Sequence, residues 1–586
     1  MNESLDSAIT PSIGAPVAPP GRWRVAGQIA GGLLVVVAMW ALLVLWGLGD
    51  MPFHTKGEPR EGLVVWEMTH DGGWVLPRRN GTELPSKPPL FHWLGALTSL
   101  ARGVTDEWSI RFPSAALSLL GALFVCAAGS ALWTPRAGLM SALVLMTTFE
   151  WARAATNARV DMTLTVGLET ALLSLLFFLR QQRAVWLVPM YLGISWAVLG
   201  KGPVGIALPG LTALVMLGLM RDLTPLRHMR LVAGALTVAV LAGSWYVLAL
   251  LSGGWAFFQK QVLKENVFTF LDDPGFRGGH RHSVWYLGGT LLLGLLPWTL
   301  ALPAVVARLW RERRALSAED PRVFLLVWVA VVFTFYGIAA SKRGVYLLAL
   351  YPAVALVVGW WWDARCRVTD GGDGWLASLL AVGAWALAAM VVPLLLIVGA
   401  ESAGMSVLAW LAGWLPAEWR SGVRRAVEIV QGGRWLLLGL LAGFGVALAA
   451  LARCARQRRW VGMFVALWLA IACGMTIARQ VVMPGITRQE TLRAFMATVR
   501  QTVGPSGTVF FYRTFDYEAV FYWYGRIPAY EGPWPDDAPQ YVLVARALWE
   551  RIEPTSRGLY AVVATSDEPA RPDAGALVFV RRVGGR

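Results

Sequence analysis

Apolar segments of roughly 20 residues alternate with short polar loops along most of this 586-residue chain. A helix of that length spans the hydrocarbon core of a bilayer. The pattern therefore predicts a mainly α-helical polytopic membrane protein. The thirteen predicted spans are 27–48, 110–132, 137–152, 160–179, 185–200, 203–220, 230–251, 284–307, 322–340, 344–362, 375–399, 434–452 and 460–478. The segments 137–152 and 185–200 are short, which leaves open whether they are re-entrant or tilted.

Composition supports the same fold class. Hydrophobic residues make up 56% of the chain and charged residues 15%, against roughly 25% charged residues in soluble domains. The first apolar segment is longer than the core of a signal peptide and lacks a small-residue cleavage site, so we expect a retained anchor. Residues 1–21 are polar and proline-rich, which is typical of a disordered tail.

Basic residues in short loops set the orientation, because cytoplasmic loops carry an excess of lysine and arginine. With the N-terminus inside, every even-numbered span returns to the cytoplasm at a basic loop. These loops contain Arg136, Arg180, Arg227, Arg308, Arg365 and Arg453. An odd number of spans then places the region after Arg479 outside. The net charge of +15 is largely this topological signal, so we expect contact with membrane lipids and no nucleic acid.

Residues 485–586 differ in character from the rest of the chain. An amphipathic helical pattern over 490–503 precedes strand-like runs separated by proline, glycine and aspartate. The runs are 508–512, 541–544, 559–564 and 576–580. We expect a small extracytoplasmic α/β domain that acts as a structural or acceptor-docking cap, because it carries no catalytic signature. The four cysteines lie in or beside spans, which predicts neither a disulfide framework nor a metal cluster.

Basic residues also occur on the predicted outer side, where the topology rule does not expect them. Five outer loops carry them, together with carboxylates. They are Lys56, Arg60, Arg78, Arg79, Lys87, Arg153, Arg159, Lys201, Lys260, Lys264, Arg277, Arg281, Lys342 and Arg343. Lysine and arginine bind phosphate well, so the cluster indicates an anionic ligand such as a lipid-borne phosphate. Any one of these side chains alone is more typical of a snorkelling residue, and the coincidence of five loops carries the inference.

Carboxylates beside such a site are candidates for a general base or acid. Asp161, at the outer end of the fourth predicted span, is the sharpest case, because a carboxylate that borders a span is costly and usually functional. The alternative is a structural role, in which Asp161 is an N-cap or first-turn acid that the helix dipole stabilises. Lys201 lies in GKGPVG, which lacks the pattern of a nucleotide-binding loop. His280 and His282 alone are too few for a metal site.

Nine short motifs occur in a fixed order between about residues 50 and 360, and together they resemble a known family. They are E-P-R, G-x-W-x-x-P-x-x-N-G, K-P-P-L-x-x-W, R-x-P-S-A, A-R-x-D-M, K-G-P-V-G, G-H-R-x-x-x-W-Y, L-L-P-W and S-K-x-x-x-Y-L-L-x-L-Y-P. Each motif is weak alone, but the set is specific. Their order resembles that of bacterial aminoarabinose and dolichyl-phosphate-mannose type glycosyltransferases, which have the GT-C membrane fold.

The resemblance implies inverting transfer of a sugar from a polyprenyl-phosphate donor to an acceptor outside the cytoplasmic membrane. It makes Glu58 and Asp161 the catalytic carboxylates, with Glu58 the first choice as base. The expected donor-phosphate ligands are Lys87, Arg281, Arg60, Lys201 and Lys342, and the expected substrate-binding residues are Glu61, His280, Trp285 and Tyr346. The chain departs from the family at Gly57, where relatives have the aspartate favoured as base. The base is therefore open between Glu58, Asp161 and another group, and an inactive relative is a further reading.

The predicted organisation has three parts: a cytoplasmic tail (1–26), a transmembrane GT-C domain (27–484) with outer loops at 49–109 and 252–283, and a periplasmic α/β domain (485–586). We expect a bacterial cytoplasmic-membrane enzyme whose active site faces outside. Its partners would be a polyprenyl-phosphate sugar and a lipid A-like lipid, glycan or protein acceptor, without a cofactor or metal. The sequence identifies neither the sugar nor the acceptor.

Two other function classes compete with a transferase. A polyprenyl-lipid or glycolipid flippase is the main alternative, but transporters show internal repeats and polar residues at the bilayer midplane. Here no clear repeat is present, and the charges cluster at one face. A non-catalytic scaffold that binds partners through the outer domain would leave the outer cations unexplained.

Overall fold

The computed structural model describes residues 22–268, 282–367, 374–414, 416–532, 534, 539–552, 558–566 and 575–583. Helices dominate because backbone groups inside a bilayer must find their hydrogen-bond partners within the same segment. The α-helices up to residue 300 are Arg22–Trp40, Gly57–Asp71, Leu90–Arg102, Glu107–Leu132, Pro135–Met146, Phe149–Ala155, Asp161–Gln181, Leu187–Lys201, Val204–Met220, Thr224–His228, Leu231–Val238, Ser244–Phe257 and Val284–Gly294. Those that follow are Leu302–Glu312, Pro321–Ile338, Tyr351–Arg365, Gly374–Ser402, Val407–Gly413, Ala417–Arg456, Trp460–Ile477, Met483–Glu490, Arg493–Val503, Tyr517–Trp523 and Arg546–Trp549.

Shorter helical segments of other types connect or extend these helices. The π-helical segments are Ala41–Leu45, Ala239–Gly243, Phe258–Phe268 and Ala478–Val482, and the 3₁₀ segments are Ala184–Trp186, Trp298–Ala301, Arg313–Ala315 and Gly344–Leu350.

Ten helices in the described part of the chain are long and apolar enough to cross a membrane. An eleventh span results if Trp285–Gly294 and Trp298–Ala315, which meet at a bend of 102°, are counted as one. The other two predicted spans correspond to the shorter apolar helices Pro135–Met146 and Val204–Met220. The polytopic fold class is therefore confirmed, whereas the count of thirteen spans is not. The first helix also begins at Arg22, earlier than the predicted start of the first span at residue 27.

The helix Asp161–Gln181 is the most enclosed of the spans. Of its most apolar 18-residue stretch, 94% is buried, against 28% for Trp23–Leu45. It therefore lies at the centre of the helix bundle rather than against lipid. Its first residue, Asp161, is consequently held at the outer end of the bundle centre.

Two helices of the first outer loop rest on this bundle, and we call them the first outer helix (Gly57–Asp71) and the second outer helix (Leu90–Arg102). Both end at glycines, Gly72 and Gly103, whose φ angles of 73° and 72° favour glycine. The next span begins at Asp106, where a capping box with the residue three positions later fixes the helix start.

The C-terminal region forms a five-stranded mixed sheet with helices. Its strands are β1 (Phe510–Tyr512), β2 (Ala529–Tyr530), β3 (Tyr541–Ala545), β4 (Tyr560–Thr565) and β5 (Leu577–Arg582). The strand order is β2-β1-β3-β5-β4. β1 runs parallel to β2 and β3, and β5 runs antiparallel to β3 and β4. The four predicted strand-like runs coincide with β1, β3, β4 and β5, and β2 was not predicted.

One hydrophobic core joins the C-terminal domain to the first outer loop. Phe53, Val64 and Phe91 from the loop are buried in the same cluster as Met496 and Phe521 from the domain. The rings of Phe53 and Phe521 meet edge to face with centroids 4.8 Å apart. The C-terminal domain therefore packs directly on the outer loop that carries most of the candidate site residues.

Candidate active site

A cavity of about 790 Å³ opens where the outer segments of the membrane domain meet the C-terminal domain. Its walls come from the start of the first outer helix, the helix Phe149–Ala155, the helix Val284–Gly294, the loop at 342–345 and the segment 515–518. The charged residues in its walls are Lys56, Arg60, Glu150, Arg153, Arg159, Lys342, Arg343, Asp516 and Glu518. Segments far apart in the chain therefore meet at one polar cavity, and cations outnumber carboxylates among these residues.

Asp161 lies beside this cavity in a buried ion pair. Its Oδ1 is 2.5 Å from Nζ of Lys201, and the residue is only 8% exposed. The Lys201 ammonium also lies 4.2 Å from the ring centroid of Tyr346, in cation–π geometry. Arg153 and Arg159, which line the cavity, interact electrostatically with the same carboxylate. Three of the predicted site residues, Asp161, Lys201 and Tyr346, thus form one cluster.

Glu58 occupies a different environment, because it is fully buried against Arg111. The Arg111 Nε donates to Glu58 Oε1 at 2.7 Å, and the backbone N–H groups of His54 and Ala158 also donate to this carboxylate. Burial raises the pKa of Glu58, but the charges of Arg111 and His54 and these hydrogen bonds lower it to about 2. An ionised, fully bonded carboxylate is typical of a structural ion pair, and Glu58 is not in the described cavity wall.

Glu61 is also engaged by its neighbours. Its Oε1 accepts hydrogen bonds from Arg60 at 2.8 and 3.1 Å, and its Oε2 lies 2.8 Å from His92 Nε2. Burial raises the pKa of Glu61, but the charge of Arg60 and the His92 contact hold it well below its usual value. Arg60 itself lines the cavity. Glu61 therefore lies behind Arg60 and orients it towards the cavity.

Lys87 lies next to this group rather than in the cavity wall. Its Nζ is 2.8 Å from Oε2 of Glu265, which also interacts electrostatically with Arg60. Gln261 donates to the backbone carbonyl of Lys87 at 3.0 Å, so the segment Phe258–Phe268 is fastened to the loop that carries Lys87.

The remaining predicted residues fall into three groups. Lys342 lines the cavity, is 8% exposed and donates from Nζ to the Ala339 carbonyl at 2.7 Å. Trp285 is 88% exposed, and the adjacent Tyr286 lines the cavity in its place. His280 and Arg281 lie outside the described residues. Among the described residues no group of three or more His, Cys, Asp or Glu side chains is arranged to hold a metal ion.

Comparison with known proteins finds relatives with similar sequences and a solved structure with a similar fold. The family model of dolichyl-phosphate-mannose-protein mannosyltransferases matches residues 86–246. An undecaprenyl phosphate-alpha-4-amino-4-deoxy-L-arabinose arabinosyl transferase of Sodalis glossinidius is 26% identical over 474 residues, which are 76% of this chain and 77% of that relative. A relative of the same description from Pseudomonas fluorescens is 27% identical, and the aligned part is 59% of each chain.

The crystal structure of ArnT from Cupriavidus metallidurans bound to undecaprenyl phosphate superposes with a TM-score of 0.70. The superposition covers 95% of this chain and 98% of that one, at 20% identity. This chain has the GT-C membrane fold. The resemblance that the nine motifs indicated is confirmed. The outer cavity therefore lies in a protein with the GT-C fold.

Two parts of this site were not predicted from the sequence. Arg111 lies inside the quoted R-x-P-S-A motif, and its position in an apolar span was a signal, because a charged residue there needs a partner. The segment 515–518 lines the cavity although the C-terminal domain carries no catalytic motif. No sequence pattern identifies that contact, since it depends on how the domain docks.

Glu83 ties the C-terminal domain to the GT-C fold beside the cavity. Its carboxylate accepts from Tyr517 Oη at 2.8 Å, from Arg79 at 3.0 Å and from Lys260 at 3.1 Å. It therefore links the first outer loop, the segment Phe258–Phe268 and the cavity-lining Tyr517. Burial raises the pKa of Glu83, but Arg79 and these hydrogen bonds lower it.

We expect Glu83→Ala to loosen the C-terminal domain at the cavity. The change removes three hydrogen bonds and leaves the buried Arg79 without its carboxylate, which costs about 1–3 kcal/mol. Hydrogen–deuterium exchange should rise in the helix Tyr517–Trp523. Tyr517→Phe, which removes one of these bonds, should give a smaller rise. Unchanged exchange in the Glu83 variant would show that the hydrophobic core alone holds the domain.

Proposed function

We propose that this chain is an inverting glycosyltransferase that takes a sugar from a polyprenyl-phosphate donor. The observation that carries the proposal is the cavity itself, in which six cationic side chains lie beside the buried Asp161–Lys201 pair. Lysine and arginine stabilise the charge that develops on a leaving phosphate. The relatives named above are transferases, and the ArnT of similar fold was crystallised with undecaprenyl phosphate. Both facts favour transfer over the flippase alternative.

We further propose where the enzyme acts and on what. The basic loops at the ends of the even-numbered spans favour a cytoplasmic N-terminus in a bacterial inner membrane, which puts the cavity on the periplasmic side. The acceptor would be a lipid A-like lipid, a glycan or a protein. The C-terminal domain from residue 485, with its segment 515–518 in the cavity wall, would bear on acceptor binding.

In the proposed reaction an acceptor oxygen attacks the anomeric carbon of the donor sugar. The bond from that carbon to the phosphate oxygen breaks, and its electron pair leaves with the lipid phosphate. Arg60 and Lys342 line the cavity and would bind this phosphate, with Lys87 beside Arg60 as a further ligand. No proton has to reach the leaving group, because the lipid phosphate leaves as a stable anion.

We propose Asp161 as the group that takes the proton of the acceptor. It is adjacent to the cavity-lining Arg153 and Arg159 and sits at the end of the central helix. Lys201 holds it ionised, so it is ready to accept a hydrogen bond. Glu58 was the first choice from the sequence, but its pairing with Arg111 favours a structural role. Tyr346 would keep Lys201 in place through its ring.

Lys342→Ala and Lys87→Ala are expected to weaken the binding of undecaprenyl phosphate about tenfold each, because each removes one charge from the phosphate site. Binding to the detergent-solubilised full chain checks this, and added salt should weaken wild-type binding as well. The control is Arg546→Met, which removes an exposed cation that pairs with Glu550 in the C-terminal domain.

The function itself is tested by transfer from a radiolabelled undecaprenyl-phosphate sugar into membranes that contain the chain. Mass spectrometry of envelope glycolipids and glycoproteins, with and without the chain, then identifies the acceptor. If undecaprenyl phosphate binds neither to the wild type nor to the variants, the proposal is wrong.

A further inference from the structure

The wall of the cavity at Gly57 is formed by a cation. A Cβ atom added to Gly57 would lie 3.0 Å from Nη2 and 3.1 Å from Nε of Arg159. Both residues line the cavity, and Arg159 is half-buried. The Nε–Nη2 edge of the guanidinium therefore faces the start of the first outer helix, in the space that a side chain at position 57 would otherwise take.

The carboxylates in the described cavity wall are already engaged within the protein. Glu150 accepts from Arg153 at 2.5 and 2.8 Å. Glu518 accepts from the Thr491 hydroxyl at 2.7 Å and the Leu492 backbone N–H at 3.0 Å. Asp516 accepts from two backbone N–H groups at the start of the helix Tyr517–Trp523. A cationic substrate group would have to compete with these donors.

The excess of cations in the cavity wall also disfavours a cationic substrate group. The described wall carries Lys56, Arg60, Arg153, Arg159, Lys342 and Arg343 against Glu150, Asp516 and Glu518. A lipid phosphate would offset part of this excess near Arg60 and Lys342. An ammonium group near Arg159 would instead meet a like charge, and a site discriminates against a ligand by placing a like charge opposite it.

We infer that the donor sugar of this enzyme carries no ammonium group. The inference rests on the proposed function and names its substrate class, a sugar whose hydroxyl or carboxylate oxygens accept hydrogen bonds from Arg159. Guanidinium groups suit such oxygens, because they present several donors in one plane. In this respect the chain differs from relatives described as transferring a 4-amino-4-deoxy sugar.

A matched pair of donors tests the inference. Undecaprenyl phosphate-linked glucose and glucosamine differ by one group, and the amine is protonated at about pH 6. Binding of each lipid to the detergent-solubilised full chain is measured at that pH. We expect the glucose lipid to bind about tenfold more tightly, since like charges a few ångströms apart repel each other.

Two variants at Gly57 sharpen the test. Gly57→Asp places a carboxylate against Arg159, and it should bring the ratio of the two affinities close to one. Gly57→Asn adds the same bulk without the charge, and it should keep the preference for the glucose lipid. If either variant does not fold, the wild-type ratio decides on its own.

The outcomes separate the two proposals. Equal or tighter binding of the glucosamine lipid to the wild type overturns the inference and leaves the transferase proposal standing. Binding of neither sugar lipid, nor of undecaprenyl phosphate, overturns both.

Discussion

Asp161→Asn is expected to lower the rate of sugar transfer by a factor of about 10² to 10⁴. The amide has nearly the same shape as the carboxylate, but it cannot take a proton from the acceptor. It also leaves Lys201 Nζ, 2.5 Å away and 10% exposed, without its counter-charge. The loss should appear in kcat with a smaller effect on the KM of the donor, since the lipid phosphate is bound by other side chains. Transfer from a labelled undecaprenyl-phosphate sugar measures both.

Controls for this variant separate chemistry from folding. Asp222→Asn removes an exposed carboxylate that accepts a hydrogen bond from the Thr224 backbone N–H, and it should keep wild-type activity. Binding of undecaprenyl phosphate to Asp161→Asn should stay close to that of the wild type, which shows an intact cavity. A variant that binds the lipid normally and retains more than about a tenth of the rate would exclude Asp161 as the base.

The membrane fold could be predicted from the sequence because a bilayer permits few backbone structures. Apolar runs of sufficient length must become helices, so each predicted span coincides with an apolar helix. The number of helices that cross the membrane could not be predicted in this way. Pro135–Met146 and Val204–Met220 are short, and the pair Trp285–Gly294 and Trp298–Ala315 is bent by 102°. These features depend on packing against neighbouring helices rather than on hydropathy.

The sequence was enough to predict which loops contribute to the candidate site, but not which side chains in those loops contact one another. Arg60 and Lys342 reach the cavity, and Asp161 lies beside it, as expected for cations and acids on one membrane face. Sequence reasoning could not tell which carboxylate faces an arginine 53 positions later in the chain. It therefore named both Glu58 and Asp161 as catalytic carboxylates and made Glu58 the first choice as base, although Glu58 is enclosed in an ion pair with Arg111 and Asp161 lies next to the cavity.

Trp285 illustrates the same limit at the level of one residue. The motif G-H-R-x-x-x-W-Y places two aromatic residues side by side, and both suit an interface or a sugar. On a helix, neighbours in sequence point in directions about 100° apart, so only one of them can face a given cavity. Tyr286 is the one in the wall, and Trp285 is exposed.

Glu58→Gln is expected to lower the free energy of unfolding by about 3–5 kcal/mol, the usual cost of breaking a buried ion pair. Arg111 is fully buried and also donates to the carbonyls of Leu48, Met51 and Pro52. The amide would leave its charge uncompensated at the junction of the first outer loop and the span Glu107–Leu132. The midpoint of unfolding in detergent should fall, while protein that remains folded at low temperature keeps most of its transfer rate.

The double variant Glu58→Gln with Arg111→Met should lose less stability than the sum of the two single variants, because no unpaired charge remains. Normal stability of Glu58→Gln together with lost transfer would contradict this view. That result would return Glu58 to the role of catalytic base.

The pH dependence of stability gives an independent measure of the same pair. The pKa of Glu58 falls from its usual 4.5 to about 2 in the folded protein, which corresponds to about 3 kcal/mol. Because the folded-state pKa is the lower one, this stability is present above pH 4.5 and is lost as the pH falls from 4.5 towards 2. We expect Glu58→Gln to flatten the stability curve in this window, with no change in its slope near neutral pH. An equally steep decline in the variant would assign the acid sensitivity to other carboxylates, such as Glu61, whose pKa is also lowered.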